Sequence, residues 1–316
     1  MNILIIGAGA IGITMGTVLC GGGAEVTFLA RGETLKAIQE GGIHRTGLLG
    51  TADWGPEEII ATDSYDTLPA GHFDYVIISV KAMANETVCE QLYAHRSIFA
   101  PAGRLVLFQN GWGNDEVYLR RFPKEQVCGA RIVTGFARTA PNVSDITVHS
   151  SAMLLGNLYG LHTAPLIPLA ETLNAGGFPA EVTEDLAAAL WAKMLYNCSL
   201  NPLGAVLGLR YGDLMKAPEG VEIMSEIVEE IYAVMEACGY HTYWSTAEDY
   251  KRELFDHLVP GTAAHISSTL QDIRRRLPTE IDILTGKVME LGAAHGVDTP
   301  INRMLYRQIK LLEANF

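Results

Sequence analysis

The sequence predicts an α/β chain in two domains: a Rossmann-type dinucleotide-binding domain over residues 1–180 and an all-helical domain over residues 181–316. Three observations carry this. A glycine cluster, GAGAIG, follows a short apolar run at the start of the chain. Strand-like runs alternate with helical or loop segments through the first half, and from about residue 184 long helical periods take over.

The elements follow in order. NILIIGAG, AEVTFLAR, FDYVIISVK, RLVLFQNG and QVCGARIV are each short, apolar and rich in branched residues, as strands buried on both faces are. Their alternation with helical segments predicts a parallel sheet covered on both sides. Between residues 141 and 160, DITVHS and SAMLLGNLY come close together and are expected as two strands, antiparallel to one another, before a helix near 164–175. Beyond that, EDLAAALWAKMLYNC, EGVEIMSEIVEEIYAVMEACG, AEDYKRELFDHL and TEIDILTGKVMELGAAHG read as helices. A short join near 180 makes a cleft between two domains the default place for a ligand.

Composition narrows the function classes. Apolar residues make up 48% and charged residues 19%, the profile of a globular protein. With a net charge of -13, long-range electrostatics oppose nucleic acid and anionic lipid, so any anionic ligand needs a local basic pocket. Cysteines 20, 89, 128, 198 and 238 are odd in number and form no C-x-x-C pair, which argues against a disulfide framework or a zinc knuckle and for a reducing, cytoplasmic setting. The start lacks the features of a secretory signal, and no apolar run reaches the ~20 residues of a membrane span. No H-E-x-x-H or comparable cluster stands among the nine histidines, so no metal is expected.

The glycine cluster sits where its mechanism requires, after a strand and before a small-residue helix. Gly7 serves the turn, Gly9 the close approach of a pyrophosphate and Gly12 the packing of helix on strand, with Ala8, Ala10 and Ile11 between them. At the end of the second strand, FLARG presents Arg31 where NAD-binding sheets commonly offer a carboxylate to the ribose. A guanidinium there pairs with a 2'-phosphate, which favours NADP(H) over NAD(H). FAD would call for further binding segments. Lys81, in SVKAMAN, follows another strand at the sheet edge where ligands bind, although lysines so placed are commonly solvated. Asn110, in FQNGWGN, either faces a ligand from that edge or makes a plain N-G turn.

LWAKMLYNCSLNP is apolar nearly all round, yet it carries Lys193, Asn197 and Asn201 at four-residue intervals. On a helix Asn197 lies about 40° and Asn201 about 80° around the axis from Lys193, so the three form a slanting stripe. One account makes the amides core groups, Asn201 capping whatever follows Pro202, with Lys193 reaching water. The other lets Lys193 donate a proton to a substrate carbonyl oxygen while the amides hold the substrate. Farther on, HISSTLQDIRRRLPTEID combines Ser267, Ser268 and Thr269 with Glu280; hydroxyls at such places commonly cap helices. Arg274, Arg275 and Arg276 read as a solvated face or a contact between domains.

Taken as an ordered set, GAGAIG, FLAR, SVKA, QNGWGN, LWAKMLYNCSLNPLGA, SSTLQDI and TEIDILTG resemble the ketopantoate reductase (2-dehydropantoate 2-reductase) family over almost the full chain. The resemblance implies an NADPH-dependent enzyme that reduces the ketone of 2-dehydropantoate to (R)-pantoate, a step toward pantothenate and coenzyme A. It implies roles as well: Arg31 and Lys81 at the 2'-phosphate end of the cofactor, Asn110 by the nicotinamide and substrate, and Lys193 as general acid. Asn197, Asn201 and Ser268 would contact the substrate, and Glu280 the cofactor ribose. The expected partner is a small-molecule 2-oxo acid, with a homodimer allowed as the assembly. His265, Thr269 and Ala84 depart from the residues frequent in the family, so specificity is less closely determined than reaction type. Another branched or polar 2-oxo acid is the alternative substrate, and a dinucleotide sensor without chemistry is disfavoured by the retained lysine and amides.

Overall fold

The structure is a computed structural model that describes all 316 residues. The chain divides into two compact units, residues 1–109 with 114–186, and residues 110–113 with 187–316. The first unit thus runs past the domain end near 180 read from sequence.

Its strands are β1 (Asn2–Ile6), β2 (Glu25–Leu29), β3 (Ile43–Gly47), β4 (Ala52–Trp54), β5 (Ile60–Thr62), β6 (Phe73–Ile78), β7 (Phe99–Leu107), β8 (Val127–Arg131), β9 (Thr134–Ala140), β10 (Val143–His149), β11 (Met153–Gly156) and β12 (Ala180–Val182). Eight form one sheet in the order β12-β11-β8-β7-β6-β1-β2-β5, parallel throughout except where β11 runs against β8. The order reverses between β1 and β6, the switch point beyond whose carboxyl ends open α/β sheets bind ligands. Successive side chains of β1 enter opposite cores, Ile3 and Ile5 on one face and Leu4 and Ile6 on the other. Helices α1 (Ala10–Gly21), α2 (Gly32–Gly41), α3 (Asn85–Ala94), α4 (Asn114–Leu119) and α5 (Ile167–Ala175) complete the unit. Side chains of α1 and α5 pack on the first face, and side chains of α3 and α4 on the second.

A second sheet, β4-β3-β10-β9, is absent from the expectation. It packs against α1, so α1 is buried from Gly12 to Cys20. That explains why its sequence is apolar all round rather than on one stripe. The same sheet corrects the reading of residues 141–160. DITVHS lies in β10, antiparallel to β9, whereas SAMLLGNLY supplies β11 in the large sheet, antiparallel to β8; the two are not paired. The break at Ser150–Ala152 turns the chain from one sheet to the other, with Ser150 N–H donating to Val133 and Met153 N–H to Pro179.

The second unit holds no strand. It comprises α6 (Leu186–Leu207), whose first residue belongs to the first unit, α7 (Tyr211–Leu214), α8 (Pro218–Cys238), α9 (Ala247–Glu253), α10 (Val259–Gly261), α11 (Ser268–Arg274), α12 (Thr285–His295) and α13 (Pro300–Glu313), with a π-helical turn at Leu254–Leu258. The side chains of Trp191, Leu195, Cys198 and Leu200 make α6 a core helix. It continues through Pro202, so Asn201 does not cap a new helix there. No helix is long and apolar enough to cross a membrane.

Candidate active site

In the first unit the site begins with glycine backbone. Gly7 turns at φ +104°, and a Cβ on it would stand 2.8 Å from the Val80 nitrogen. A Cβ on Gly12 would stand 2.0 Å from the Gly7 carbonyl oxygen, which the Ser79 hydroxyl also engages at 2.7 Å. Both glycines are therefore required by the chain's own packing. Gly9 differs: its φ of -77° suits any residue, and a Cβ there would meet nothing within 4 Å. Its lack of a side chain leaves open space at the start of α1, where backbone N–H groups point outward without a side-chain cap.

That space belongs to a cavity of about 380 Å³ lined by Gly7, Ala8 and Gly9, the end of β2 with Arg31, and one face of α3. Ala10, Ile11 and Gly12 start the helix behind it and are not among its walls; Lys81, half-buried before the short turn at Ala82–Ala84, also stands outside it. Arg31 Nη2 donates to Gln91 Oε1 at 3.2 Å. Tyr65 lines the wall with a buried hydroxyl that makes no hydrogen bond, and burial pushes its phenol pKa well up. The sequence reading missed Tyr65, Gln91 and Arg138. For Gln91 a signal existed: Ala84, Thr87, Val88 and Gln91 follow the i, i+3, i+4, i+7 period of one helix face, and all four line the cavity.

In the second unit three distant segments converge. Lys193 Nζ donates to Asn110 Oδ1 at 2.6 Å, and Asn110 Nδ2 donates to Glu280 Oε2 at 3.1 Å. The 110–113 turn is pinned to this unit by its own residues. Gly111 turns at φ +86° with the Ile283 carbonyl 2.5 Å from where a Cβ would be, Trp112 N–H donates to that carbonyl at 3.0 Å, and the Trp112 ring lies 4.9 Å from Trp191 and from Tyr240. Asn110 is thus both a turn residue and a ligand of Lys193. Glu280 follows Thr279, whose N–H and hydroxyl both donate to Glu313 at 2.7 and 2.6 Å. Burial opposes charge on Glu313, but hydrogen bonds from Lys310 and Thr279 outweigh it and hold the carboxyl below its ordinary range.

The rest of the stripe divides. The Asn197 amide, half-buried one turn from Lys193, makes no side-chain hydrogen bond. Asn201 is 3% exposed and its Oδ1 accepts from the Tyr211 hydroxyl at 2.5 Å, as a core amide would. The capping hydroxyl of α11 is that of buried Ser267, which accepts from Leu270 N–H at 3.0 Å; this leaves Ser268 exposed in the first turn. Arg274, Arg275 and Arg276 are exposed.

The family profile "Ketopantoate reductase PanE/ApbA" matches residues 3–159, and "Ketopantoate reductase PanE/ApbA C terminal" matches residues 185–313. The chain belongs to the ketopantoate reductase family. As a member of that family it is an oxidoreductase. It is 32% identical to the 2-dehydropantoate 2-reductase of Aquifex aeolicus, across 99% of this chain and 97% of that one. Among solved structures it resembles a PanE/ApbA family ketopantoate reductase from Ralstonia eutropha JMP134, with a TM-score of 0.85 at 26% identity over 100% of this chain and 99% of the other. The fold is also that of a D-mandelate dehydrogenase in ternary complex with NADH and anilino(oxo)acetate, with a TM-score of 0.87 at 22% identity over 100% and 99%. The ketopantoate reductase fold therefore does not by itself select the acid or the form of the cofactor.

Proposed function

We propose that the protein uses NADPH to reduce the 2-oxo group of 2-dehydropantoate to (R)-pantoate, a step toward pantothenate, with Lys193 as general acid. The observation that carries the reading is the Lys193–Asn110–Glu280 chain of hydrogen bonds, which fixes the one amine of a largely apolar helix. The residues of the first unit fit a phosphorylated dinucleotide: an open approach at Gly9, a partnerless hydroxyl at Tyr65, and Arg31 beside a cavity whose walls include no carboxylate. Gly7, Ala8 and Gly9 with the first-turn amides of Ala10, Ile11 and Gly12 would hold its pyrophosphate, and Arg31 with Lys81 its 2'-phosphate end.

When bound, the cofactor supplies hydride to the carbonyl carbon. The protein supplies the proton. The Glu280 carboxylate takes the Asn110 N–H, which turns Asn110 Oδ1 toward Lys193, and that oxygen takes one of the three N–H donors of the ammonium. Lys193 then delivers a proton from Nζ to the ketone oxygen as negative charge develops there. The Asn197 amide is available to polar groups of the substrate, as is the exposed Ser268 hydroxyl for its carboxylate. Asn201, with Oδ1 taken by Tyr211, would meet a ligand through its amide nitrogen.

A second reading, a different branched or polar 2-oxo acid, is favoured by one observation: His265, three residues before Ser268, is half-buried with its ring 5.1 Å from that of Tyr211. The test is NADPH oxidation with 2-dehydropantoate, 2-oxoisovalerate and pyruvate, repeated with NADH. A kcat/KM for 2-dehydropantoate at least about tenfold above the others is expected, a difference of ~1.4 kcal/mol in transition-state binding. Comparable values for all three acids would overturn the assignment.

A further inference from the structure

Arg138 is a residue to which no role has so far been given. It lies on β9 of the small sheet, far in sequence from the glycine loop, yet it lines the same cavity as Arg31. Its guanidinium is tethered by neutral oxygens alone. Nη2 donates to the Thr34 hydroxyl and, at 2.8 Å, to the Pro141 carbonyl, while Nε donates to the Ala140 carbonyl at 3.4 Å. Nη1 donates to nothing in the chain. Arg31 is likewise held by a neutral group, the Gln91 amide. Glu33 acts on Arg138 through space but is not among the cavity walls, which carry two guanidinium groups and no carboxylate. In a chain of net charge -13, two like charges directed at one cavity without an acidic partner mark an anion site. The polar tether matters as well. Thr34 stands in the first turn of α2, for which Arg31 is the N-cap residue, so one hydrogen bond links the arginine of the small sheet to the helix start that follows the arginine of the large one.

We propose that Arg138 is a second specificity-determining arginine, which together with Arg31 recognises the phosphate monoester on the adenosine ribose of the cofactor. The inference rests on the NADPH reading above and adds to it. A phosphate dianion offers three oxygens, and with Lys81 outside the cavity walls the Arg31 guanidinium alone leaves part of that charge unmatched there. Arg138 Nη1 supplies the further donor, already oriented by Thr34 and Pro141, so little side-chain freedom is lost on binding.

The test measures dissociation constants for NADPH, NADH, 2',5'-ADP and 5'-AMP with the wild-type protein and the Arg138→Ala, Arg138→Lys, Thr34→Val and Arg31→Ala variants, each checked for an unchanged thermal midpoint. Arg138→Ala is expected to weaken NADPH and 2',5'-ADP by at least about tenfold while NADH and 5'-AMP change less than about twofold. Arg138→Lys keeps the charge but loses the planar fork and falls between. Thr34→Val, which keeps the shape of the helix start, gives a smaller loss with the same selectivity. Equal losses for phosphorylated and unphosphorylated ligands, or no loss, overturn the role of Arg138. If Arg31→Ala abolishes the preference while Arg138→Ala leaves it intact, the NADPH reading stands and this inference falls. If the wild-type protein binds NADPH no more tightly than NADH, both fall.

Discussion

The glycine loop of the first unit and the lysine relay of the second solve the problem of placing polar groups in opposite ways. At Gly7, Gly9 and Gly12 the groups offered are backbone N–H, and what matters is the absence of side chains. At Lys193, Asn110 and Glu280 the groups offered are side chains from a helix, a turn and a short 3-10 segment, and the backbone serves only to bring them together. The first kind of site is rigid because sterics fix it. The second is held by hydrogen bonds that can be removed singly.

The largest effect should come from breaking the steric site. Gly12→Ala sets a methyl group 2.0 Å from the Gly7 carbonyl oxygen, a backbone atom that cannot swing aside, and should cost about 3 kcal/mol of stability in chemical denaturation. Gly9→Ala places its methyl in open space. The thermal midpoint should stay unchanged while dinucleotide affinity falls at least about tenfold, because the lost space belongs to the ligand. A Gly9→Ala protein that binds as tightly as the wild type would remove that glycine from the site.

The relay should respond in the reverse manner, with chemistry lost and the fold kept. Lys193→Ala is expected to lower kcat on the order of 100-fold with cofactor affinity unchanged. Unaltered turnover would exclude Lys193 as the proton donor. Glu280→Gln replaces the acceptor that orients Asn110 with an amide of either orientation, and a smaller loss, roughly tenfold in kcat, is expected. If the two residues act as one unit, the double variant should be little worse than Lys193→Ala alone.

How much of this was readable in the sequence follows the same division. The five main strands and the glycine loop were legible because each depends on neighbours a few residues away: branched runs for buried strands, and glycines at a fixed spacing for the turn. The small sheet was not, since β3, β4 and β9 carry no continuous apolar run, are half-exposed over much of their length, and gain their stability from α1 and from pairing within the sheet. With it Arg138 was lost from view. On α6 the spacing of Lys193, Asn197 and Asn201 was plain, but periodicity fixes a face without saying what meets it. Asn201 faces Tyr211 in the core, Lys193 faces Asn110, and the covalent distance between these partners hides both contacts from pattern.

A site built from side chains also answers to pH, whereas glycine backbone does not, and His265 gives the smallest measurable form of that difference. Burial lowers its pKa from the ordinary 6.5, so the folded chain takes up a proton on the ring less readily than the unfolded chain does. Between 6.5 and the lower folded value the unfolded chain binds a proton that the folded chain refuses. Stability contributed by this residue is therefore complete above 6.5 and is lost as pH falls through that window. His95 works the other way. Its backbone hydrogen bond to Gln91 raises its pKa, so its contribution is present at acid pH and lost as pH rises. Comparing wild type with His265→Asn cancels His95 and isolates His265. Lowering the pH from 7.5 to 5.5 should reduce the thermal midpoint of the wild type more than that of the variant, by on the order of 1 °C. An identical drop in both proteins would mean that His265 is solvated in the folded chain and that the Tyr211 contact does not bury it.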